Sequence, residues 1–130
     1  MILQEKELKS KLTSKFYKIL VSSGVLTNLS DDKASKIMLE LSHMKIPIVT
    51  QILAVFLGQL GIHRFYNGSM IGCGVFIALT IISTIIIATT ENYSLAGLYI
   101  WIWIAGLIDA NILSKKIAKK NYERILDVAK

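Results

Sequence analysis

Charge is nearly absent from the middle of this 130-residue chain. Between Ile46 and Ser114 the only charged side chains are Arg64, Glu91 and Asp109, although the protein has 15 basic and 9 acidic residues in all. A water-soluble domain needs polar side chains on every exposed face, so this gap argues against an ordinary soluble fold. With 53% hydrophobic residues, the pattern indicates a membrane core with solvated ends.

Cysteine and histidine are also scarce. Cys73 is the only cysteine, which excludes an intrachain disulfide and a cysteine-based zinc site, and in an apolar helix we expect it to pack as a small residue. His43 and His63 are the only histidines and lie in different segments. No acid pair, nucleophile–base pair or glycine-rich phosphate loop is visible. We therefore expect no enzymatic activity, no catalytic residue, no cofactor and no metal ion.

The net charge of +6 does not by itself indicate nucleic acid. The basic residues flank the apolar segments, where positive-inside topology and anionic headgroups account for them. The opening stretch MILQEKELKSK has no apolar core and no small-residue cleavage site, so we predict no signal peptide there. The expected surroundings are a lipid bilayer, without nucleic acid.

Hydrophobic periodicity divides the chain into three parts. Residues 1–45 are predicted to be a cytoplasmic region of two amphipathic helices, too small to bury a core alone. Ser30 is the expected N-cap of the second helix, because Asp31 and Asp32 follow it in the first turn. Residues 117–130 are predicted to form a basic amphipathic tail, which could lie equally well on an anionic lipid surface or in solvent.

Residues 46–116 are predicted to form the membrane domain, with apolar segments at 46–62, 69–90 and 95–114. The predicted fold class is therefore an all-α integral membrane protein, a small transmembrane helix bundle with an amphipathic helical N-terminal region. The first segment reaches only about 25 Å, less than a hydrocarbon core of about 30 Å. Pro47 is well placed to begin its helix.

The lysine-rich ends predict that both termini lie in the cytoplasm of a multi-pass cell-membrane protein. That arrangement needs an even number of crossings, and there are three apolar segments. The short first segment, with Gln51 and Gln59, is the candidate to lie tilted or re-entrant, which leaves two crossings. Three crossings remain the alternative. In the two-crossing topology Glu91 faces outward, near an aromatic belt of Tyr93, Tyr99, Trp101 and Trp103.

The stretch GIHRFYNG, residues 61–68, interrupts the apolar sequence and precedes the second segment. Asp109 lies near the end of the third segment, hence on the same side of a membrane. An ionised acid in the apolar zone costs about 2.5–3.5 kcal/mol on insertion scales and usually has a partner. We predict that Arg64, with His63, neutralises Asp109 and clasps the turn to the last helix, because a guanidinium holds a carboxylate with two hydrogen bonds. A proton relay between His63 and Asp109 is the less favoured alternative.

Other residues of this stretch are expected to support the clasp. Phe65 and Tyr66 would seat the turn at the membrane interface, and four glycines would allow close helix packing. The four are Gly58, Gly61, Gly68 and Gly72.

These residues resemble the two-transmembrane (TM-2) domain family. The likeness covers roughly residues 46–116 and rests on FLGQLGIHRFYNG and on GLID, which ends at Asp109, with Trp103 as a looser counterpart of the family's tryptophan. The layout is similar to that of bacterial members with a short charged helical region ahead of the domain. The resemblance implies a small integral membrane protein of a family without an established enzymatic activity. Here the region after the turn is longer than usual and is split by ENYSLAG.

Two functions fit these observations. The favoured one is a membrane-anchored adaptor, regulator or effector scaffold, self-associating and able to bind a protein partner through the N-terminal helices. The alternative is a homo-oligomeric ion-conducting or membrane-perturbing pore, with Thr80, Ser83, Thr84 and Thr90 along a mildly polar path. Hydroxyls in lipid commonly bond their own helix carbonyls, which is the favoured reading of these four.

Overall fold

The computed structural model describes residues 5–130 and confirms an all-helical fold. Helices account for 84% of it, and no strand occurs in the part of the chain described. In chain order the α-helices are α1 (Glu5–Lys11), α2 (Ser14–Ser22), α3 (Asp31–His43), α4 (Pro47–Leu57), α5 (Ile62–Tyr66), α6 (Met70–Thr90) and α7 (Gly97–Ala129). Short 3-10 helices occupy Gly58–Leu60 and Tyr93–Ala96.

The N-terminal region contains three helices rather than the two predicted. The apolar spacing that suggested one helix across residues 2–23 is interrupted between α1 and α2, and residues 1–4 lie outside the described part. Thr13 has an extended backbone, with φ −76° and ψ 158°, and stands at the N-cap of α2. A β-branched hydroxyl residue suits that position better than a helix interior.

The predicted start of the next helix is confirmed. The Ser30 side chain accepts a hydrogen bond from the Lys33 backbone N–H at 3.4 Å, and Asp31 and Asp32 occupy the first turn of α3. Acids there are stabilised by the partial positive charge of the helix N-terminus. Pro47 begins α4, also as predicted.

The chain forms two compact units. We call the first the head unit; it comprises the described residues up to Ile48 together with Ser114–Lys130. The second, Val49–Leu113, is here called the apolar unit. The basic tail predicted as a separate part is therefore continuous with α7 and belongs to the head unit.

The head unit has a hydrophobic core built from α1, α2, α3 and the end of α7. Its fully buried members are Leu8, Leu12, Leu20, Ile37, Leu41, Met44 and Ile125. Phe16 and Tyr122 stack beside them, with ring centroids 5.1 Å apart. The N-terminal helices thus gain from α7 the apolar surface that they lack on their own.

Asn121 ties three segments of the head unit together. Its side-chain amide is buried and donates to the Lys11 carbonyl at 2.7 Å and to the Lys45 carbonyl at 3.0 Å. These two carbonyls lie at the end of α1 and just after α3. A buried amide with both hydrogen bonds made fixes the register of α7 in the head, since leaving it unpaired costs about 1–3 kcal/mol.

In the described part of the chain, three helical stretches are long and apolar enough to cross a membrane: Asp31–Leu60, Met70–Thr90 and Tyr93–Ala129. The first is interrupted, because α3 ends at His43 and α4 begins at Pro47. The 11 residues of α4 extend about 17 Å, well short of a bilayer core. Only α6, with 21 residues, and α7 span that thickness as single helices.

The apolar unit hides small and polar residues and exposes large apolar ones. Within Val49–Leu113 the buried side chains include Thr50, Ala54, His63 and Ser83, and no leucine, isoleucine, valine or phenylalanine is fully buried. Exposed positions instead carry Ile71 (86%), Phe56 (79%) and most isoleucines of α6. This distribution is the reverse of the one in the head unit.

Candidate functional site

The chain turns sharply just before the charged residues of the apolar unit, and glycine makes that turn possible. Gly61 ends the 3-10 helix with φ +65° and leads into α5. A Cβ on Gly61 would lie 2.8 Å from Phe76 Cβ and 3.0 Å from Cys73 Cα. Both the left-handed backbone and the lack of space therefore require glycine there.

The turn presents Arg64 and His63 to one carboxylate. Arg64 Nε donates to Asp109 Oδ2 at 2.5 Å, and Arg64 Nη2 donates to the other oxygen, Oδ1. His63 Nε2 lies 3.0 Å from Asp109 Oδ2. We call these three residues the ion cluster. The structure thus brings together the three side chains predicted to form the clasp, in the two-pronged geometry that a guanidinium favours.

The three side chains of the ion cluster differ in their degree of burial. The His63 side chain is fully buried, with the Phe76 ring edge-on at 5.2 Å, whereas the Asp109 side chain is 18% exposed and that of Arg64 is 33% exposed. Hydrogen bonding to Asp109 raises the pKa of Arg64, so the guanidinium stays charged at every accessible pH. The acid therefore always has a cation beside it.

A second polar layer surrounds His63. The Asn67 side-chain amide donates to the His63 carbonyl at 2.7 Å and to Thr50 Oγ1 at 3.2 Å. A carboxylate only accepts hydrogen bonds, so His63 Nε2 carries the proton shared with Asp109. His63 Nδ1 and Asn67 Oδ1 are buried and find no hydrogen-bond partner among residues 5–130. These hydrogen bonds fix the orientation of the His63 imidazole.

The remaining predicted residues occupy different surroundings. Phe65 is 56% exposed and Tyr66 is half-buried, on either side of the turn. A Cβ on Gly72 would lie 2.8 Å from Arg64 Cδ, so this glycine leaves room for the arginine stem. Gly68 is exposed with φ +83°, which makes it a turn residue.

Gly58 packs against α7, where it lies close to Gly106 and Trp103. A Cβ on Gly106 would lie 3.0 Å from the Gly58 carbonyl oxygen, and the Trp103 side chain borders Gly58. The Trp103 indole donates to the Val55 carbonyl at 2.9 Å. This hydrogen bond and the close contact of the two glycines attach α4 and the following 3-10 helix to α7.

Sequence reasoning missed Thr50, Asn67 and Gly106 as parts of this site. Thr50 and Asn67 are polar residues within or beside an apolar segment, which is the available signal, although it does not say what they touch. Gly106 stands in GLID and could have been paired with Gly58 as two small residues that permit close backbone approach. The pairing itself depends on the fold.

The threonines proposed for a polar path have internal partners. Thr84 and Thr90 bond the carbonyls of Thr80 and Ile86, four residues earlier, at 2.8 and 2.7 Å. Thr80 Oγ1 donates to the Gln59 carbonyl at 2.8 Å, which links α6 to the 3-10 helix. For Thr84 and Thr90 the favoured interpretation, bonding to carbonyls of their own helix, agrees with the structure, whereas Thr80 bonds a carbonyl of another segment.

The chemical capacity of the ion cluster is that of a buried, charge-neutralised joint between a turn and a helix. Among residues 5–130, no three His, Cys, Asp or Glu side chains converge as a metal-ligand set. No family model, curated protein or solved structure matches this chain.

Proposed function

We propose that this protein is a small non-enzymatic integral membrane protein that serves as a membrane-anchored adaptor, regulator or effector scaffold. The apolar unit is the anchor and the head unit is the binding part. One observation carries the proposal: most large apolar side chains of the apolar unit are exposed, whereas those of the head unit form a buried core. Soluble monomers rarely expose continuous apolar patches above a few hundred Å², so the apolar unit suits a lipid environment.

The short α4 supports a topology with two crossings, made by α6 and by α7. At about 17 Å, α4 would leave backbone carbonyls within lipid unless other helices cover them. With α4 tilted or re-entrant, both lysine-rich ends lie in the cytoplasm of a cell-membrane protein. Asn92, in the short link after α6, would then face outward.

We also propose membership of the TM-2 domain family, as a bacterial-type member. The residues that resemble the family motif, His63, Arg64 and Asp109, are those that meet in the ion cluster. A motif whose residues contact one another across 45 positions serves well as a structural clasp. This supports a shared architecture and says nothing of a shared activity.

The adaptor role is favoured over the pore because the polar groups of the spanning helices are used internally. Thr80, Thr84 and Thr90 bond carbonyls, and Trp103 and Gln59 donate to carbonyls of neighbouring segments. Exposed apolar side chains on α2 and α3 support a protein partner at the head unit: Ile19 is 39% exposed, Val21 51% and Leu39 63%.

The test measures particle mass in nanodiscs or a mild detergent, followed by ion flux through liposomes made from the same sample. We expect a homo-oligomer with no flux above that of empty liposomes. A defined ring of subunits that conducts ions would replace the adaptor with the pore. A protein extracted from membranes by alkaline carbonate would contradict membrane anchoring altogether.

A further inference from the structure

Only one unit of the molecule has a net positive charge. The head unit and the stretch before it carry 14 basic and 7 acidic residues, a net charge of +7, and the apolar unit has Arg64, Glu91 and Asp109, a net charge of −1. Together these give the +6 of the whole chain. Within the head unit the densest group is formed by Lys115, Lys116, Lys119 and Lys120, here called the lysine face.

The lysine face is directed away from the core of the head unit. The buried residues of this part of α7 are Ser114, Ala118, Asn121 and Ile125, which share one side of the helix, and all four lysines are exposed. At 100° per residue the lysines cover the opposite side. The tail therefore cannot insert its apolar side into lipid, because that side is already buried, but its cationic side is open.

The lysines of this face repel one another. Lys115 and Lys119, and likewise Lys116 and Lys120, are four residues apart, a spacing at which like charges destabilise a helix. Of these four lysines, only Lys119 has an ion-pair partner among residues 5–130, Glu123 at 3.7 Å.

The other acids of the head unit that form ion pairs are engaged elsewhere. Glu5 pairs with Lys9, Glu40 pairs with Arg124 at 2.7 Å, and Asp127 pairs with Lys130 at 3.3 Å. An external anion would thus relieve a repulsion that the protein itself leaves in place.

We infer that the lysine face binds the phosphate headgroups of anionic phospholipids. Lys115 follows the apolar segment 95–114 directly in the sequence, and Lys120 lies about 8 Å farther along the helix. Lysines at this distance from a spanning segment stand at headgroup depth, where each adds attraction to an anionic leaflet. The inference rests on the proposed membrane anchoring and names the lipid class that the anchor selects.

The experiment uses the full chain in bilayers of phosphatidylcholine that contain phosphatidylglycerol as a minor component. Spin-labelled lipids report the association constant of each lipid at the protein surface. We expect wild type to prefer phosphatidylglycerol by about five- to tenfold at low salt, and the preference to approach 1 near 0.5 M salt because the charges are then screened.

The variant K115Q/K116Q/K119Q/K120Q should lower the preference to below about twofold. The matched control K6Q/K15Q/K18Q/K36Q removes the same charge from exposed lysines elsewhere in the head unit and should retain most of it. Replacing the four lysines of the lysine face by arginine should also retain it. That result would show that charge, rather than altered folding, is responsible.

Several outcomes overturn the inference. Wild type without a preference, or a control that loses as much as the variant, would show that no local lipid site exists. Loss of the preference on addition of about 10 mM inorganic phosphate at constant ionic strength would assign the lysine face to free phosphate instead. Alkaline carbonate separates the two proposals: a chain that resists extraction but shows no preference refutes only the lipid site, and an extracted chain refutes both.

Discussion

The two units bury opposite kinds of residue. The core of the head unit consists mainly of leucine and isoleucine side chains, as in a water-soluble protein. The apolar unit instead buries Thr50, His63 and Ser83 and exposes most isoleucines of α6. In water, burial of apolar surface drives folding, but lipid provides no such drive between helices. On the proposed membrane anchoring, specific polar bonds and close backbone contacts hold the apolar unit, whereas apolar packing holds the head unit.

The largest expected effect is on the head unit. Leu41→Ala should lower its free energy of unfolding by about 3–4 kcal/mol, because Leu41 is fully buried in the core. Chemical unfolding followed by the near-UV signal of Tyr122 and its neighbours measures the loss. Leu39→Ala, on the same helix but 63% exposed, should cost less than about 0.5 kcal/mol. Equal losses in both variants would refute the proposed core.

The ion cluster should matter most in the apolar unit. Asp109→Asn removes the charge that pairs with Arg64 and should cost about 2–3 kcal/mol. This is less than the roughly 3–5 kcal/mol for a fully buried pair, because both side chains are partly exposed. Thermal unfolding in detergent gives the measurement. Glu40→Gln, which weakens the more exposed pair with Arg124, should cost at most about 1 kcal/mol.

Arg64→Ala tests the same joint from the other side. If Asp109→Asn and Arg64→Ala both retain wild-type stability, the clasp does not stabilise the unit. A loss in Asp109→Asn alone would instead assign the stabilisation to His63, the other partner of the carboxylate.

A smaller loss of stability is expected for a substitution at Gly61, where the turn lies close to α6. Gly61→Ala should cost about 2 kcal/mol, because alanine is strained at φ +65° and its Cβ would meet Phe76 and Cys73. Gly74 provides the control, since a Cβ there meets nothing within 4 Å. Gly74→Ala should stabilise α6 by about 0.5–1 kcal/mol. Opposite signs for two Gly→Ala changes in the same thermal assay would separate close contact from helix propensity.

The smallest effect concerns α1 at low pH. Hydrogen bonds from Lys9 and Tyr17 hold the pKa of Glu5 below its ordinary value of 4.5. A lowered pKa means that these bonds stabilise the fold above the ordinary value and are lost as pH falls through the folded-state pKa. Amide exchange at α1 should therefore accelerate relative to α3 between pH 5 and pH 2, after correction for the intrinsic rate. Glu5→Gln should remove that difference.

The sequence predicted the ion cluster because charge in an apolar stretch is costly and leaves few partners. Arg64 and Asp109 could be paired by topology alone, and Ser30 could be recognised as a cap from the two acids after it. The Ser30 cap could be predicted because capping depends on neighbouring residues. The Arg64–Asp109 pair could be predicted because few other charged residues are available. The helical class follows from apolar spacing in the same way.

What the sequence did not predict depends on distant contacts. Asn121 and Lys11 are 110 residues apart, and nothing in either segment announces the hydrogen bond between them. The helix break at Thr13 was not predicted, because the apolar spacing is regular across it. The break allows α1 and α2 each to pack one face against the same core. The joining of α7 to the head unit likewise follows from burial of Ile125, one of several apolar residues in a lysine-rich tail.

The packing of the end of α7 into the head-unit core has a consequence for synthesis of the protein. Leu8 and Leu12 emerge from the ribosome more than 100 residues before Ile125, and at about 5–20 residues per second the delay is roughly 6–20 s. During that time the first three helices lack their final covering, while, on the proposed membrane anchoring, the apolar stretches would enter the bilayer. A slowed insertion would lengthen the interval, so variants that disturb the apolar unit are expected to raise aggregation and degradation of the nascent chain before they alter the finished protein.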